Sequence, residues 1–324
     1  CTGCQQKQKA LWFTELQADQ ISTLVNGEIA KGSFPGAVVL VGQDGTVLFE
    51  EAFGHQMTEP NQVTMQTDTV FDLASMTKPM ATGAAVMVLM DQGRLDPNDY
   101  VRQFLPAFAC AGKEEVQIRH LLTHSSGLPA YTNAKALEDQ HGSPCSSEVI
   151  NKICSFESMN TPGDTFRYSC LGYITLAQIV QQISGQSIHA FTQENIFDPL
   201  GMQHTCFRPP DALKGNVAAT EIVDGQLLRG SVHDPLARLR DGMSGNAGLF
   251  STAGDVAIFC TMLLQHGKLK RKTILSKEAV TLMTCAQSHG RAFGFDLDSG
   301  YAWIKGDYAS EQALCHSGYT GTSV

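Results

Sequence analysis

The chain has 324 residues, of which 43% are hydrophobic, and its formal net charge at pH 7 is -9. A chain of this length and apolar content can bury a large core, either as one large domain or as two interleaved lobes. The negative charge and the lack of a dense Lys and Arg cluster argue against a nucleic-acid-binding surface. The apolar runs are also shorter than the roughly 18 residues that a membrane-spanning helix needs.

Cysteine is frequent and stands at the first position. The sequence contains 10 cysteines, a number that permits disulfides in an exported protein but that cannot be paired from sequence. A leading Cys1 is typical of a processed bacterial lipoprotein, although a trimmed chain would begin in the same way. We therefore predict a location in the bacterial cell envelope, either periplasmic or lipid-anchored through Cys1, with a cytoplasmic location as the alternative.

Two spacings in the sequence resemble metal sites. Cys1 and Cys4 form a CxxC pair, but a zinc site of this kind needs a second pair of ligands. His120 and His124 have the spacing of zinc ligands on a helix, yet Leu121 stands where a metalloprotease carries its glutamate. We interpret both histidines as structural and predict no metal.

The N-terminal part of the chain predicts a helix followed by a β-hairpin. Apolar residues recur at helical spacing over residues 12–31. Two β-rich runs at 37–41 and 46–49 then flank Asp44 and Gly45, a dipeptide that favours a tight hairpin turn. This part is therefore predicted to contain one helix and two antiparallel strands.

Ser75 and Lys78 are the first candidate catalytic pair. Side chains at i and i+3 share a helix face, so Lys78 can lie beside the Ser75 hydroxyl. A serine hydroxyl is a weak nucleophile until a base takes its proton, and burial makes a lysine easier to deprotonate. The apolar run at 80–90 predicts a buried helix with Ser75 in its first turn, where Pro79 is tolerated and free N–H groups favour an oxyanion. An exposed helix start with a solvated lysine is the alternative, which this apolar context disfavours.

The remaining pattern indicates the fold class. Helical patterns and polar loops fill the middle of the chain, and β-like patterns return at 293–297 and 301–304. Strands at both ends with helices between them predict an α/β (α+β) fold. In this fold an antiparallel sheet is formed from the N- and C-terminal segments, is flanked by helices, and carries an inserted, mainly helical lobe.

The expected domain organisation follows from this fold. We predict a single catalytic domain over residues 1–324. Its α/β lobe comprises about 10–72 and 240–324, and its mainly helical lobe comprises about 73–239. A cleft between two such lobes is the usual place for an active site.

Further segments complete a family pattern in the order in which they stand along the chain. They are residues 35–39, 93–96, 104–106, 118–129, 244–252 and 316–323. Together with Ser75 and Lys78 they resemble the serine β-lactamase and penicillin-binding-protein superfamily, specifically its class C β-lactamase-like group of esterases and D-alanyl-D-alanine peptidases. The resemblance runs from Pro35 to the C-terminus. It implies a β-lactamase/transpeptidase-like fold and an acyl-enzyme mechanism without a metal or organic cofactor.

The family's second motif, Tyr-x-Asn, corresponds to Tyr168, Ser169 and Cys170. The resemblance implies that Tyr168 faces Ser75 and Lys78 and relays protons to the leaving group. A packing tyrosine with a hydrated hydroxyl is the alternative. Cys170 departs from the pattern, because a thiol lacks the amide donors and the carbonyl acceptor of asparagine. This departure argues against efficient β-lactam turnover.

The family's third motif corresponds to His316, Ser317 and Gly318, which are expected to contact the substrate. Gly318 allows the strand edge to approach a substrate closely. A neutral histidine binds anions more weakly than lysine does, and His316 therefore favours neutral acyl esters over carboxylate-bearing β-lactams. By resemblance, the oxyanion hole consists of the backbone N–H groups of Ser75 and Tyr319.

These motifs predict a serine hydrolase that acts on esters, amides or β-lactams of small-molecule or peptide substrates, with an esterase favoured. A D-alanyl-D-alanine carboxypeptidase or weak class C-like β-lactamase is one alternative, and a catalytically silent binding domain of the same fold is another. Relatives in the family continue past the third motif with further strands and a helix. The C-terminal strands of the sheet are therefore expected to be missing after Val324.

Overall fold

A computed structural model of the chain describes residues 13–297 and 314–324. Two units are distinguished along the chain, Cys1–Thr69 and Val70–Val324. The candidate site residues, from Ser75 to Tyr319, all belong to the second unit. The predicted lobe boundaries near residues 72 and 240 stay a prediction.

The first unit contains a helix and a three-stranded antiparallel sheet in the order β1-β2-β3. Its elements are α1 (Glu15–Ala30), β1 (Gly36–Gln43), β2 (Thr46–Met57) and β3 (Val63–Thr64). Helix α1 begins with a capping box formed by Thr14 and Gln17. Asp44 and Gly45 have φ angles of 51° and 79°, as a two-residue type I′ turn requires. The predicted helix and hairpin are both confirmed.

The second unit is mainly helical. Its α-helices are α2 (Ala84–Asp91), α3 (Ile118–Leu122), α4 (Ala134–His141), α5 (Ser146–Ser155), α6 (Cys170–Ser184), α7 (Ile188–Thr192), α8 (Asp198–Leu200), α9 (Asp211–Lys214), α10 (Pro235–Leu239), α11 (Ala253–Leu264) and α12 (Lys277–Thr284). Short 3-10 turns occupy Ala74–Met76, Val101–Gln103 and Pro106–Phe108, and π-helical turns occupy Lys78–Gly83 and Gln193–Phe197. The helical middle of the chain agrees with the sequence pattern.

Helices α2 and α6 lie at the centre of the core of this unit. Residues 84–89 of α2 and 171–177 of α6 are buried, and each large apolar side chain among them contributes about 1.5–3 kcal/mol to folding. The Ser169 side chain caps α6 by accepting a hydrogen bond from the Gly172 N–H group. Tyr168 precedes the capping residue Ser169, so it lies at the N-terminal end of this buried helix.

The strands of the second unit are short and form separate antiparallel sheets. They are β4 (Phe71–Asp72), β5 (Cys206–Phe207), β6 (Ile222–Val223), β7 (Gln226–Leu227), β8 (Leu249–Ser251), β9 (Lys268–Leu269), β10 (Lys272–Thr273), β11 (Asp296–Leu297) and β12 (Leu314–Cys315). Strand β8 pairs with both β4 and β5, and β11 pairs with β12. The pattern at 293–297 ends in β11, whereas the one at 301–304 lies outside the described residues. The mixed α/β class is confirmed, and one sheet shared by both chain ends stays a prediction.

Three further predictions concern cysteines, metals and membranes. Seven cysteines of the described residues are free thiols, namely Cys110, Cys145, Cys154, Cys170, Cys206, Cys260 and Cys285. Within residues 13–297 and 314–324, no three His, Cys, Asp or Glu side chains are grouped so that they could bind a metal ion. The helices in these ranges are too short or too polar to cross a bilayer. Cys1 and Cys4 lie outside the described residues, so the lipid anchor stays a prediction.

Candidate active site

Ser75 lies at the start of the helical segment that leads into α2. The 3-10 turn Ala74–Met76 and the π-helical turn Lys78–Gly83 follow one another and place the Ser75 and Lys78 side chains on one face. The Lys78 ammonium donates a hydrogen bond to Ser75 Oγ at 2.9 Å. Lys78 is fully buried and Ser75 only partly so. The pair therefore combines a shielded cation with an accessible hydroxyl.

The backbone of the segment before β8 forms one wall of the Lys78 site. Lys78 Nζ donates a second hydrogen bond to the Asn246 carbonyl oxygen at 3.0 Å, and Thr82 Oγ1 donates to the Gly245 carbonyl oxygen at 2.8 Å. A Cβ atom on Gly245 would lie 1.9 Å from the Tyr173 carbonyl oxygen, so only glycine permits this approach to α6. Segment 244–252 thus holds Lys78 through main-chain atoms.

Burial and neighbouring groups act in opposite directions on Lys78. Burial lowers the pKa of Lys78, because the ammonium loses its hydration. The interactions with Cys170 and Tyr168, which include a hydrogen bond to Tyr168, outweigh burial and raise the pKa above its usual value. Desolvation alone predicts the opposite direction. Lys78 therefore keeps its proton and acts as a hydrogen-bond donor inside the site.

Tyr168 faces Lys78 from the N-terminal end of α6. Its ring centroid lies 4.9 Å from Lys78 Nζ. The His124 imidazole stacks on the Tyr168 ring with centroids 4.4 Å apart, and the Ser169 N–H group donates to His124 Nδ1 at 3.0 Å. The structure therefore brings Tyr168 to the Ser75 and Lys78 pair and supports its ring with a histidine.

The two histidines with zinc-like spacing both have protein partners. His124 accepts a backbone hydrogen bond at Nδ1, and burial, followed by the charge of Lys78, lowers the pKa of His124 well below its usual value. His120 Nδ1 accepts from the Gln117 N–H group at 3.1 Å, and burial lowers the pKa of His120 to about 4. Both are therefore neutral at pH 7, in agreement with a structural interpretation.

Cys170 is the first residue of α6 and is partly buried. Its N–H group donates to the Ala130 carbonyl oxygen at 2.9 Å. Among the interactions that raise the pKa of Lys78, the one with Cys170 is the largest. A thiol thus stands close to the buried ammonium, at the position where the family resemblance places asparagine.

The third motif forms a hairpin at the C-terminal end of the described chain. His316 exchanges two backbone hydrogen bonds with Val324, of 2.9 and 3.1 Å. A Cβ atom on Gly318 would lie 2.4 Å from the Leu73 carbonyl oxygen, so glycine lets the hairpin lie directly against the residues that lead to Ser75. The first and third motifs are therefore adjacent, as the resemblance implies.

The two N–H groups expected to bind an oxyanion belong to Ser75 and Tyr319. Neither N–H group donates to another group of the described residues. The Tyr319 side chain is 84% exposed, and its ring stacks on the His233 imidazole with centroids 4.9 Å apart. Both N–H groups are thus free to donate to a ligand oxygen.

His316 is buried and neutral, whereas Ser317 beside it is exposed. His316 Nδ1 donates to the Ser317 carbonyl oxygen at 2.9 Å, and burial, followed by the charge of Lys78, lowers the pKa of His316 to about 3. His316 therefore supplies no positive charge at pH 7. A cation that the motifs did not indicate, Arg291, packs over the Phe166 ring at 4.3 Å and interacts electrostatically with His316.

The arrangement of the three motifs agrees with a comparison against protein families. A family model described as Beta-lactamase matches residues 17–324. The chain belongs to the Beta-lactamase family. It is therefore a serine hydrolase of the β-lactamase and penicillin-binding-protein superfamily, as the sequence resemblance predicted.

The relatives of this β-lactamase-family protein include proteins named as an amidase and as a carboxypeptidase. The N-acetylmuramyl-L-alanine amidase of Bacillus subtilis strain 168 is 31% identical over 348 residues, which cover 96% of this chain and 78% of the relative. A protein of Escherichia coli K12, provisionally named D-alanyl-D-alanine carboxypeptidase, is 31% identical over 347 residues, which cover 96% of this chain and 79% of the relative.

Solved structures share the fold. EstCE1, described as a hydrolase with promiscuous acyltransferase activity, superposes with a TM-score of 0.77 at 24% identity, covering 94% of this chain and 89% of that one. An octameric penicillin-binding-protein homologue from Pyrococcus abyssi has a TM-score of 0.74 at 24% identity, covering 94% of this chain and 68% of that one. At this identity the likeness establishes the fold.

Some contacts of this β-lactamase-family site did not follow from the motifs. The carbonyl oxygen of Asn246 and the ring of His124 both lie in segments typical of the family, 244–252 and 118–129, but the residue pattern alone indicates no role for either. Arg291 lies outside those segments, and no motif in the sequence indicated that it would lie near the site. The catalytic roles of Ser75 and its neighbours remain predictions.

Proposed function

We propose that Ser75 is the nucleophile of a two-step acyl transfer in this serine hydrolase. The observation that carries the proposal is the 2.9 Å hydrogen bond between the fully buried Lys78 ammonium and Ser75 Oγ. Ser75 Oγ attacks the acyl carbonyl, a bond forms between Oγ and the carbonyl carbon, and the bond from that carbon to the leaving group breaks. Water then attacks the acyl-enzyme and releases the acid.

Tyr168 is the proposed carrier of the Ser75 proton to the leaving group. Lys78 holds its own proton, and its positive charge, 4.9 Å from the Tyr168 ring centroid, stabilises a negative phenolate. Lys78 thus acts through its charge while Tyr168 moves the proton. The oxygen of the tetrahedral intermediate is expected to accept hydrogen bonds from the Ser75 and Tyr319 N–H groups.

The proposed substrate is an acyl amide of a cell-wall peptide. Support comes from the names of two relatives that are each 31% identical, an amidase for N-acetylmuramyl-L-alanine and a protein provisionally named D-alanyl-D-alanine carboxypeptidase. Both names refer to alanine-containing substrates with an amide as the scissile bond. Expulsion of an amine requires a proton, and Tyr168, whose ring centroid lies 4.9 Å from Lys78 Nζ, is the proposed donor of that proton.

Hydrolysis of neutral esters is the second candidate. It is favoured by the neutral His316, which offers no cation to a substrate carboxylate, and by the thiol of Cys170 in place of an amide. An alkoxide or phenoxide also leaves more readily than an amine, so an ester places less demand on proton transfer from Tyr168.

The first experiment labels the protein with a fluorophosphonate and measures the intact mass, for the wild type and for Ser75→Ala. We expect one adduct on the wild type and none on the variant. An adduct on folded Ser75→Ala would assign the nucleophile elsewhere, and a folded wild type without an adduct would contradict acyl transfer by this site.

The second experiment compares N-acetylmuramyl-L-alanine, a D-alanyl-D-alanine peptide and a neutral p-nitrophenyl ester as substrates. We expect Ser75-dependent release of alanine from at least one of the two amides. Hydrolysis of the ester alone would replace the amide proposal with the ester candidate. Ser75→Ala must be inactive on whichever substrate is cleaved.

A further inference from the structure

Asp72 is a buried carboxylate that stands just before Ser75 in the chain and is not part of any of the three motifs. Its side chain is 2% exposed. Asp72 Oδ1 accepts a hydrogen bond from the Ala74 N–H group at 2.9 Å, and Oδ2 accepts one from the His233 N–H group at 2.7 Å. One carboxylate thus joins the turn that carries Ser75 to a distant segment of the chain.

The Ala74 contact holds an uncommon backbone conformation. Ala74 has a φ angle of 45°, in the left-handed region that residues other than glycine rarely adopt. Ala74 is the residue before Ser75 and opens the 3-10 turn Ala74–Met76. The hydrogen bond from the Ala74 N–H group to Asp72 offsets the strain of this backbone conformation. It therefore helps to fix the orientation of the next residue, Ser75.

Asp72 also contacts the hairpin that carries the third motif. Thr320 Oγ1 donates to the Asp72 carbonyl oxygen at 2.6 Å. The backbone N–H group of His233 donates to Asp72, and the ring of His233 stacks on the ring of Tyr319 with centroids 4.9 Å apart and an interplanar angle of 18°. The side chain and main chain of Asp72 therefore contact both halves of the acyl site, the Ser75 turn and the hairpin that carries the Tyr319 N–H group.

Burial and the neighbouring groups determine the pKa of Asp72. Burial raises the pKa of Asp72 to about 6, against the lowering effect of the two backbone hydrogen bonds and of His233, while Asp234 adds a further rise. His233 itself is paired through Nδ1 with Glu221 Oε1 at 2.7 Å. Both Asp72 oxygens face N–H donors, so protonation would place a hydroxyl against one of these donors and break that contact.

We propose that Asp72, in its carboxylate form, is a positioning residue that holds the Ser75 turn and the third-motif hairpin in register for acyl transfer. The inference rests on the proposed function, because it assigns to Asp72 the alignment of Ser75 with the Tyr319 N–H group. It also predicts an acid limit to activity near pH 6, the value at which the Asp72 carboxylate takes up a proton. His316 titrates far lower, with a pKa of about 3, and Lys78 keeps its proton.

The test compares Asp72→Asn with Asp255→Asn as the matched control. Asp255 is also buried and accepts hydrogen bonds from the His204 N–H group at 2.8 Å and from Thr205 Oγ1 at 2.9 Å, but it lies in α11. We expect Asp72→Asn to lower kcat by about tenfold or more with KM changed less than about threefold, because an amide NH2 cannot accept an N–H bond. Asp255→Asn should keep the wild-type kcat.

The pH profile separates positioning from simple stabilisation. The wild-type rate of Ser75 acylation should fall on acidification through about pH 6, the value at which Asp72 takes up a proton. Asp72→Asn should lose this acid limb, and Asp255→Asn should retain it. An unchanged kcat with an unchanged acid limb in Asp72→Asn would overturn the proposal.

A rescue variant tests the link to Ala74. Glycine adopts positive φ freely, so Ala74→Gly should restore part of the lost kcat in the Asp72→Asn background, whereas a purely structural role for Asp72 predicts no rescue. If Asp72→Asn does not fold, a wild-type acylation rate that stays flat through pH 6 would still overturn the proposal. Ser75→Ala distinguishes a failure of this inference from a failure of the proposed function. Hydrolysis by Ser75→Ala would contradict the proposed function, on which the role of Asp72 rests.

Discussion

The Ser75 turn and the third-motif hairpin are adjacent but differ in almost every physical respect. Lys78 is fully buried among main-chain carbonyl, hydroxyl and aromatic partners, whereas Tyr319 on the hairpin is 84% exposed. Proton transfer requires fixed donors shielded from water, and substrate recognition requires an open edge. We therefore expect the buried region to determine the type of reaction and the exposed region to determine which substrate can bind.

Removal of the nucleophile should have the largest effect. We expect Ser75→Ala to lower kcat/KM by about a thousandfold or more, because the variant lacks the atom that forms the acyl-enzyme. Alanine suits a helical turn, so the thermal midpoint should stay close to that of the wild type. Steady-state kinetics and circular dichroism check both parts, and near-normal turnover would contradict the assigned role.

Replacement of the buried cation should have the next largest effect. We expect Lys78→Met to slow Ser75 acylation by about 10²–10⁴-fold, because the positive charge beside Tyr168 is lost while the side-chain volume is kept. A buried charge also carries a hydration penalty, so the variant should remain folded. Rapid-quench measurement of acylation gives the rate.

The control for this variant is Lys268→Met, which removes an exposed lysine from β9. It should acylate at the wild-type rate. Equal losses in both variants would mean that total charge, and not the Lys78 site, controls the reaction.

The Gly318→Ala variant tests whether the third-motif hairpin must lie directly against the Ser75 turn. A Cβ atom on Gly318 would lie 2.4 Å from the Leu73 carbonyl oxygen. We expect Gly318→Ala to lower kcat about 10- to 100-fold and the free energy of unfolding by about 1–3 kcal/mol, because the hairpin must move away. Gly215→Ala is the matched control, since Gly215 has a φ angle of -64° and open space within 4 Å of its Cβ position. Similar losses in both variants would count against the close contact.

The substitution at the second motif should have the smallest effect. We expect Cys170→Asn to raise the rate of acylation by a β-lactam about 2- to 10-fold, because an amide adds hydrogen bonds worth about 0.5–1.5 kcal/mol each. Cys285→Asn, at an exposed cysteine, should leave the rate unchanged. An unchanged rate in Cys170→Asn would argue that position 170 does not contact the substrate.

Local patterns predicted part of the fold well. The helix that became α1 and the hairpin around Asp44 and Gly45 depend on short-range periodicity and turn conformation, which the residues themselves specify. The pairing of β8 with both β4 and β5 joins strands far apart in the chain. Their two- or three-residue lengths leave no alternating pattern in the sequence from which such pairing could be predicted.

The candidate site divides in the same way. The order of the three motifs and the i, i+3 spacing indicated Ser75, Lys78 and Tyr168. The direction of the Lys78 pKa shift did not follow, because the sequence indicates that Lys78 is buried but does not show that Tyr168 and Cys170, about 90 residues away in the chain, oppose the effect of burial.

The sequence by itself indicated the nucleophile candidate through the i, i+3 spacing of Ser75 and Lys78, and it indicated the family and the reaction class through a resemblance carried by several ordered segments. Only the tertiary structure decided that Lys78 keeps its proton, that His124 supports Tyr168, and that Asp72 joins the Ser75 turn to the segment around His233. The physical reason is that hydrogen bonds and charge interactions act over a few ångströms, between groups separated by many residues of chain.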